Sequence, residues 1–260
     1  MINQIKKNTL ETKASFPSNL QSDFQLSNID CSNSVSNLLN SLSNLYSPHF
    51  LQTLQKYDHI IWDWNGTLLN DLHCTHKTLT SLLDYYKLPQ QSLSQYREKF
   101  GFPLINYYQY LGFKTDPLHF QKLANEFMFH YENNLHMADL FRGTRELLSE
   151  LKKQNIQQSI LSAAEQKHLE QVLDQFQLRS YFKFIFGIDN NWAANKIHRG
   201  HQLMKESQVA SSQTLLIGDT LHDLEVGHAL GIQVLLLADG HQDFHRLSSH
   251  HDQVLNSRYQ

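Results

Sequence analysis

His59-Ile60-Ile61-Trp62-Asp63-Trp64-Asn65-Gly66-Thr67 is the stretch on which the fold turns. A β-prone apolar run without polar alternation reads as a strand covered on both faces, and Asn65-Gly66 stops it with a turn signal. Residues 158–161, 182–188, 214–217 and 234–237 have the same short, apolar character. Helical spacings fall between them, at Leu147, Leu148 and Leu151, at Leu169, Val172, Leu173 and Phe176, and across 197–204 and 224–230. Strand and helix alternating in this way predict an α/β protein with a doubly wound, Rossmann-like parallel sheet, whose ligands sit at the carboxyl ends of its strands.

One interval breaks the rhythm. Residues 71–140 read as helical, with Leu72, Thr75, Leu79, Leu82, Leu83 and Tyr86 on one face and aromatic-rich segments at 102–113 and 120–131. A block of this kind inserted after the first strand predicts a separate helical lid over an α/β core made of 48–70 and 141–260. Tyr107, Tyr108 and Tyr110 are expected in the core of that lid. Residues 1–47, dominated by Ser, Asn, Gln and Leu, predict a disordered or loosely docked arm, with a short amphipathic helix at 35–46.

Composition excludes several classes. A net charge of −3 with 18% charged residues gives no basic surface for nucleic acid or an anionic membrane. The 16 histidines are scattered without metal-ligand spacing, and most are expected at the surface. Cys31 and Cys74 are too few for a disulfide framework and fit reduced thiols in the cytoplasm. No apolar stretch follows the two early lysines, so neither a secretory signal nor a membrane span is expected.

The strand ends carry the chemistry. After the first comes Asp63-Trp64-Asn65-Gly66-Thr67, after the second Ser162, and after the fourth Gly218-Asp219-Thr220-Leu221-His222-Asp223. A carboxylate that attacks a phosphate meets like-charge repulsion and needs a divalent cation, a lysine and hydroxyl or amide donors around it. Lys196 is the one lysine in 189–201, and Arg199 is a competing cation.

These residues, in this order from about Tyr57 to Gly240, resemble the haloacid-dehalogenase-like hydrolase superfamily. They are most similar to its phosphoglycolate-phosphatase-like branch, whose helical cap is inserted after the first motif. The resemblance implies a phosphatase acting on a small phosphorylated metabolite. Asp63 would be the nucleophile, Asn65 would offer its backbone carbonyl to Mg²⁺, and Asp219 and Asp223 would complete the metal site, Asp223 directly or through water. Thr67 and Ser162 would bind phosphate through their hydroxyls, and Lys196 would offset repulsion at the nucleophile. Arg97, in a segment similar to the cap of this branch, would clamp an anionic substrate end.

The departure is Asn65. The family's phosphatases usually carry Asp there as general acid and base, and an amide can do neither; the loss, roughly 10²–10⁴-fold, weighs most on poor alkoxide leaving groups. Asn65→Asp is therefore expected to speed alkyl phosphates more than aryl phosphates. Two other readings stand beside this one. The family's phosphonatases have Asp-Trp-Ala-Gly-Thr and use a cap lysine as a Schiff base, for which Lys77 and Lys87 are the candidates. A catalytically silent phosphometabolite-binding protein is the other. The tail from His241 onward is expected to finish the fold with a helix and a short strand, without chemistry.

Overall fold

The computed structural model describes residues 41–189 and 196–259. The expected doubly wound α/β architecture is present. Strand β1 (His59–Trp62) is buried throughout. It lies inside a six-stranded sheet between β4 (Gln157–Glu165) and β6 (Thr214–Gly218), with β5 (Phe184–Ile188) beyond β4 and β7 (Gln233–Leu237) then β8 (Val254–Leu255) beyond β6. Every pairing in this sheet is parallel.

Successive side chains of a strand point to opposite faces, which explains why these runs are apolar without alternation. Ile60, Trp62, Leu215, Ile217, Leu235 and Leu237 enter one core. Helices α1 (Pro48–Leu54), α6 (Thr144–Lys153) and α7 (Gln166–Gln175) cover it. Ile61, Leu216, Val234 and Leu236 enter the other, under α8 (Lys196–Ser207), α9 (Leu221–Leu230) and α10 (Phe244–Ser248).

The second strand differs from its expected extent. β4 continues to Glu165, with its register against β5 shifting between Leu161 and Glu165, so Ser162 lies within the strand instead of after it. Ser162-Ala163-Ala164 has no apolar signature; the Glu165↔Ile188 pairing keeps it extended. The tail supplies α10 and β8.

The chain leaves the sheet by β2 (Leu69–Asn70) and returns by β3 (Asp139–Leu140), an antiparallel pair in register Leu69↔Leu140. Between them lie α2 (Leu72–Tyr85), α3 (Leu93–Lys99), α4 (Leu104–Tyr110) and α5 (Pro117–Asn134). They share a core that includes Leu79, Leu83, Tyr96, Tyr108 and Phe120. Tyr107 and Tyr108 are buried there, whereas Tyr110 is exposed.

Residues 1–40, with Cys31 and half of the helical pattern at 35–46, lie outside the described residues. Leu42 and Tyr46 pack into the sheet core, and the Tyr46 hydroxyl donates to Arg142 O at 3.0 Å. The end of the segment expected as a loose arm therefore belongs to the core. No helix among the described residues is long and apolar enough to cross a membrane.

His59 is not among the histidines at the surface. It is fully buried at the start of β1, with Nε2 2.8 Å from Ser159 Oγ and Nδ1 without a partner among the described residues. Burial, then the nearby Lys183 charge, pushes its pKa down to about 4. An unfolded histidine titrates near ~6.5. Below that pH the unfolded chain takes up a proton that the folded chain refuses, so stability falls as pH drops from about 6.5 towards 4. The loss at pH 4.5 relative to neutrality is expected to be about 2–3 kcal/mol. Urea unfolding of wild type and His59→Gln at both pH values checks this: the variant should lose less by about that amount. An equal loss in both would remove His59 as the cause.

Candidate active site

From β1 the chain steps outward to β4 and β5, then crosses back to β6 on the other side of β1 and steps outward to β7, and this reversal opens a crevice at the carboxyl ends of β1 and its neighbours. Asp63 is the first residue beyond β1. Its N–H donates to Ile217 O at 2.8 Å, which extends the ladder by one rung. Trp64 O then accepts from the N–H groups of Leu68 and Leu69, at 3.0 and 2.9 Å, folding the chain into a tight loop. Gly66 sits at φ +74°, and a Cβ there would collide with the Asp219 carboxylate and the His241 ring.

Asp219 follows β6 and Asp223 lies in the first turn of α9. Asp223 Oδ2 closes that helix start, accepting from Thr220 N at 3.1 Å and Thr220 Oγ1 at 2.8 Å. Its Oδ1 accepts from Lys196 Nζ at 2.6 Å, and the same ammonium donates to Asp63 Oδ1 at 2.6 Å. Exposure is 7% at Asp63, 2% at Lys196, 0% at Asp219 and 1% at Asp223. Ligand oxygens of the three aspartates lie within 4.8 Å of one another.

Burial is the largest influence on each of these groups. It raises the Asp63 carboxyl above the usual range, against the Lys196 ammonium and with the help of Asp223 and Asp219. It raises Asp219 likewise, opposed by His241. At Asp223 burial pushes up too, but the Lys196 charge and hydrogen bond prevail and hold it below the ordinary value. Three carboxylates against one ammonium make a site of hard oxygens with negative charge in excess, a donor set that fits Mg²⁺.

A fourth carboxylate, missed in the sequence, sits beside it. Asp71 stands at the N-terminus of α2 but makes no backbone cap bond with its side chain. Its Oδ1 accepts from Gly66 N at 2.9 Å and lies 3.1 Å from His241 Nε2. Oδ2 accepts from Asn65 Nδ2 at 2.9 Å, Tyr131 Oη at 2.8 Å and Thr75 Oγ1 at 3.1 Å. Burial pushes the Asp71 carboxyl up, but His241 and these donors together hold it below the usual range. For His241, burial pushes down while the charge and hydrogen bond of Asp71 win, raising it to about 9. Protonated, the ring donates from both nitrogens, to Asp71 and to Tyr96 Oη at 3.0 Å. Its backbone N–H donates to Asp219 Oδ2 at 2.6 Å. The tail expected to be without chemistry thus begins with a site residue. A signal existed, since His241 lies just past the end of β7, a strand end as much as the others. Asp71 offered no such signal, because an acidic helix start is commonplace.

Of the residues singled out, Asp63, Lys196, Asp219 and Asp223 are brought together, with Asn65 and Ser162 at the same cavity. Ser162 Oγ accepts from Ala164 N at 3.1 Å. Thr67 is fully buried, donates to Asp219 Oδ1 at 3.2 Å and does not line the cavity; its hydroxyl orients a carboxylate instead of facing phosphate. Arg97 also departs from its expected role. It donates to Gly240 O at 3.1 Å, Ala238 O at 2.5 Å and Gln242 O at 3.3 Å, fastening the lid to the loop after β7, away from the cavity. Arg199 is engaged with Gly187 O at 2.9 Å and the Phe186 ring. Lys77 and Lys87 are exposed and do not line the cavity, so no candidate Schiff-base lysine faces Asp63.

A cavity of about 180 Å³ lies between these strand ends and the lid. A parallel sheet with a lid inserted after its first strand, closing over a lysine and three carboxylates, defines the class. A sequence model of the haloacid dehalogenase-like hydrolases matches residues 60–237, and the chain belongs to that family. A phosphoglycolate phosphatase of Pseudomonas fluorescens Pf-5 is 27% identical over 43% of this chain and 41% of its own length. One from Pseudomonas syringae pv. tomato is 22% identical over 70% of each. The chain thus spans less than half the length of the first of these relatives. A solved haloacid dehalogenase-like family hydrolase from Streptococcus pneumoniae superposes with a TM-score of 0.64 at 22% identity, over 75% of this chain and 92% of that one.

Proposed function

We propose that the protein is a Mg²⁺-dependent phosphatase that moves a phosphoryl group from a small phosphorylated metabolite to Asp63 and then to water. One observation carries this reading: a buried Asp63 carboxylate held at 2.6 Å by Lys196, with the oxygens of Asp219 and Asp223 within 4.8 Å. The curated relatives named phosphoglycolate phosphatase support the reaction class, a phosphomonoester of comparable size.

Lys196 fixes Asp63 through Oδ1, which directs Oδ2 at phosphorus and offsets part of the repulsion between two anions. Asp63, Asp219 and Asp223, with the Asn65 main-chain carbonyl, would hold Mg²⁺. When bound, the ion neutralises charge on the phosphoryl oxygens. Ser162 is the hydroxyl available to bind phosphate. In the first step the bond from Asp63 to phosphorus forms and the bond to the leaving oxygen breaks. In the second, water attacks phosphorus and Asp63 departs as carboxylate. The Asn65 amide is committed to Asp71 and to Tyr131, at 2.9 and 3.0 Å, and has no proton to give the leaving oxygen.

The test is hydrolysis of acetyl phosphate and an aryl phosphate with Mg²⁺, with chelator, and after Mg²⁺ is restored. Turnover should fall by about 10²-fold or more under chelator and recover on readdition. Hydrolysis indifferent to chelator would overturn the metal assignment.

A further inference from the structure

The cavity over Asp63 carries information about what departs from the phosphate. Its lid side is built from Tyr96, Phe100, Phe102, Leu104, Phe127 and Met128. Lys196 is the only Lys or Arg among the described residues lining it, and that ammonium is committed to Asp63 and Asp223. Residues 190–195, Asn-Asn-Trp-Ala-Ala-Asn, contain no cationic residue. The lid arginine best placed in sequence, Arg97, is tied to three backbone carbonyls. The other cation lining it, the His241 imidazolium, is committed to Asp71 and Tyr96, so a carboxylate on the substrate would enter an aromatic chamber without a free counter-charge, and burying an unpaired charge is strongly unfavourable.

Two residues that line this cavity carry a buried polar atom without a partner among the described residues, Tyr107 Oη and His222 Nε2. His222 stacks on Phe102, with ring centroids 4.6 Å apart, so the unpaired nitrogen lies at the edge of the aromatic wall. The volume of about 180 Å³ is small. For comparison, an apolar cavity of about 150 Å³ takes a benzene molecule. Asn65 adds an independent limit, since a leaving oxygen that receives no proton must be stable as an anion.

We propose that the substrate is the phosphate monoester of a small, uncharged phenol, whose ring lies against the aromatic lid. The inference rests on the phosphatase reading and narrows it away from carboxylated esters such as phosphoglycolate. Asp63 Oδ2 attacks phosphorus, the bond from phosphorus to the aryl oxygen breaks, and the electron pair departs on the phenolate, which is protonated by solvent. Water then cleaves the aspartyl phosphate to inorganic phosphate and the free Asp63 carboxylate, losing a proton to solvent.

The experiment measures kcat/KM with Mg²⁺ for phenyl, cyclohexyl and 4-carboxyphenyl phosphate and for phosphoglycolate, with acetyl phosphate as reference. Phenyl phosphate should exceed cyclohexyl phosphate by about 10²-fold, because the two match in size and differ in leaving-group acidity. It should exceed 4-carboxyphenyl phosphate and phosphoglycolate by about 10²-fold, because those carry the uncompensated carboxylate. Met128→Lys, which brings a cation to the lining, should narrow the phenyl-to-phosphoglycolate ratio at least ~10-fold. Acetyl phosphate hydrolysis by wild type but not by Asp63→Asn, together with phosphoglycolate equal to or better than phenyl phosphate, would overturn this inference and leave the phosphatase reading standing. No turnover of any compound would sink both.

Discussion

Replacing Asp63 with asparagine is expected to reduce phosphatase turnover by a factor on the order of 10⁴ or more while leaving the protein at least as stable as the wild type. The rate effect follows from the position of Asp63 as the carboxylate at the end of β1 for which Lys196 is the positioning cation. The stability effect runs the opposite way from most buried substitutions. Burial, Asp223 and Asp219 together raise the Asp63 pKa more than Lys196 lowers it. A carboxyl raised above its unfolded value is harder to ionise in the fold than in the open chain, so at neutral pH its charge works against stability. An amide of the same shape removes that charge, and Lys196 keeps Asp223 at 2.6 Å. Urea unfolding in the presence of chelator, beside an aryl phosphate assay with Mg²⁺, reads both quantities. Retained turnover would remove Asp63 as nucleophile. A clear drop in the unfolding midpoint would mean that its contact with Lys196 holds the fold together.

What was legible in the sequence follows a physical division. His59–Trp62 announced itself because a strand buried on both faces must be apolar at every position, and its neighbours in the sheet obey the same rule. Asp63, Asp219 and Asp223 were legible because chemistry at strand ends sits next to such runs in the chain. Asp71 was not, and His241 was marked only by lying past the end of β7. They lie 170 residues apart, and their pairing depends on side-chain directions that no local pattern encodes. Thr67 and Arg97 had the expected residue types at the expected positions, yet their partners are Asp219 and the carbonyls of 238, 240 and 242. Ser162 was found, but β4 extends past it because pairing of Glu165 with Ile188 overrides a segment with no strand signature. Residue identity was readable; the question of which neighbour claims each polar atom was settled only by packing.

That distinction changes what the asparagine at position 65 means. Read alone, Asn65 is a lost acid that Asn65→Asp should restore. Its amide, however, donates at 2.9 Å to Asp71 Oδ2, a fully buried carboxylate already held in its ionised form. A carboxylate at 65 would face a carboxylate at 71, and two like charges at that distance cannot both stay ionised in a buried site. The single replacement is therefore expected to lose stability, about 2 kcal/mol, with little gain in rate. Asp71→Ala should cost more, about 3–5 kcal/mol, because it leaves the His241 imidazolium and the donors of Asn65, Tyr131, Thr75 and Gly66 without their acceptor. Asn65→Asp combined with Asp71→Asn rebuilds the same hydrogen bond with donor and acceptor exchanged, and the side-chain carbonyl of the amide introduced at position 71 can still accept from Gly66 and His241. The double variant should be more stable than Asn65→Asp alone, with a coupling energy of at least ~1 kcal/mol in a double-mutant cycle. It should also be the form that gains on cyclohexyl phosphate, by about 10²-fold, since only there is a carboxyl at 65 free to exchange a proton. Independent, additive effects of the two replacements on stability would break the link between Asn65 and Asp71, and a full rate gain from Asn65→Asp alone would show that Asp71 places no restriction on the residue beside it.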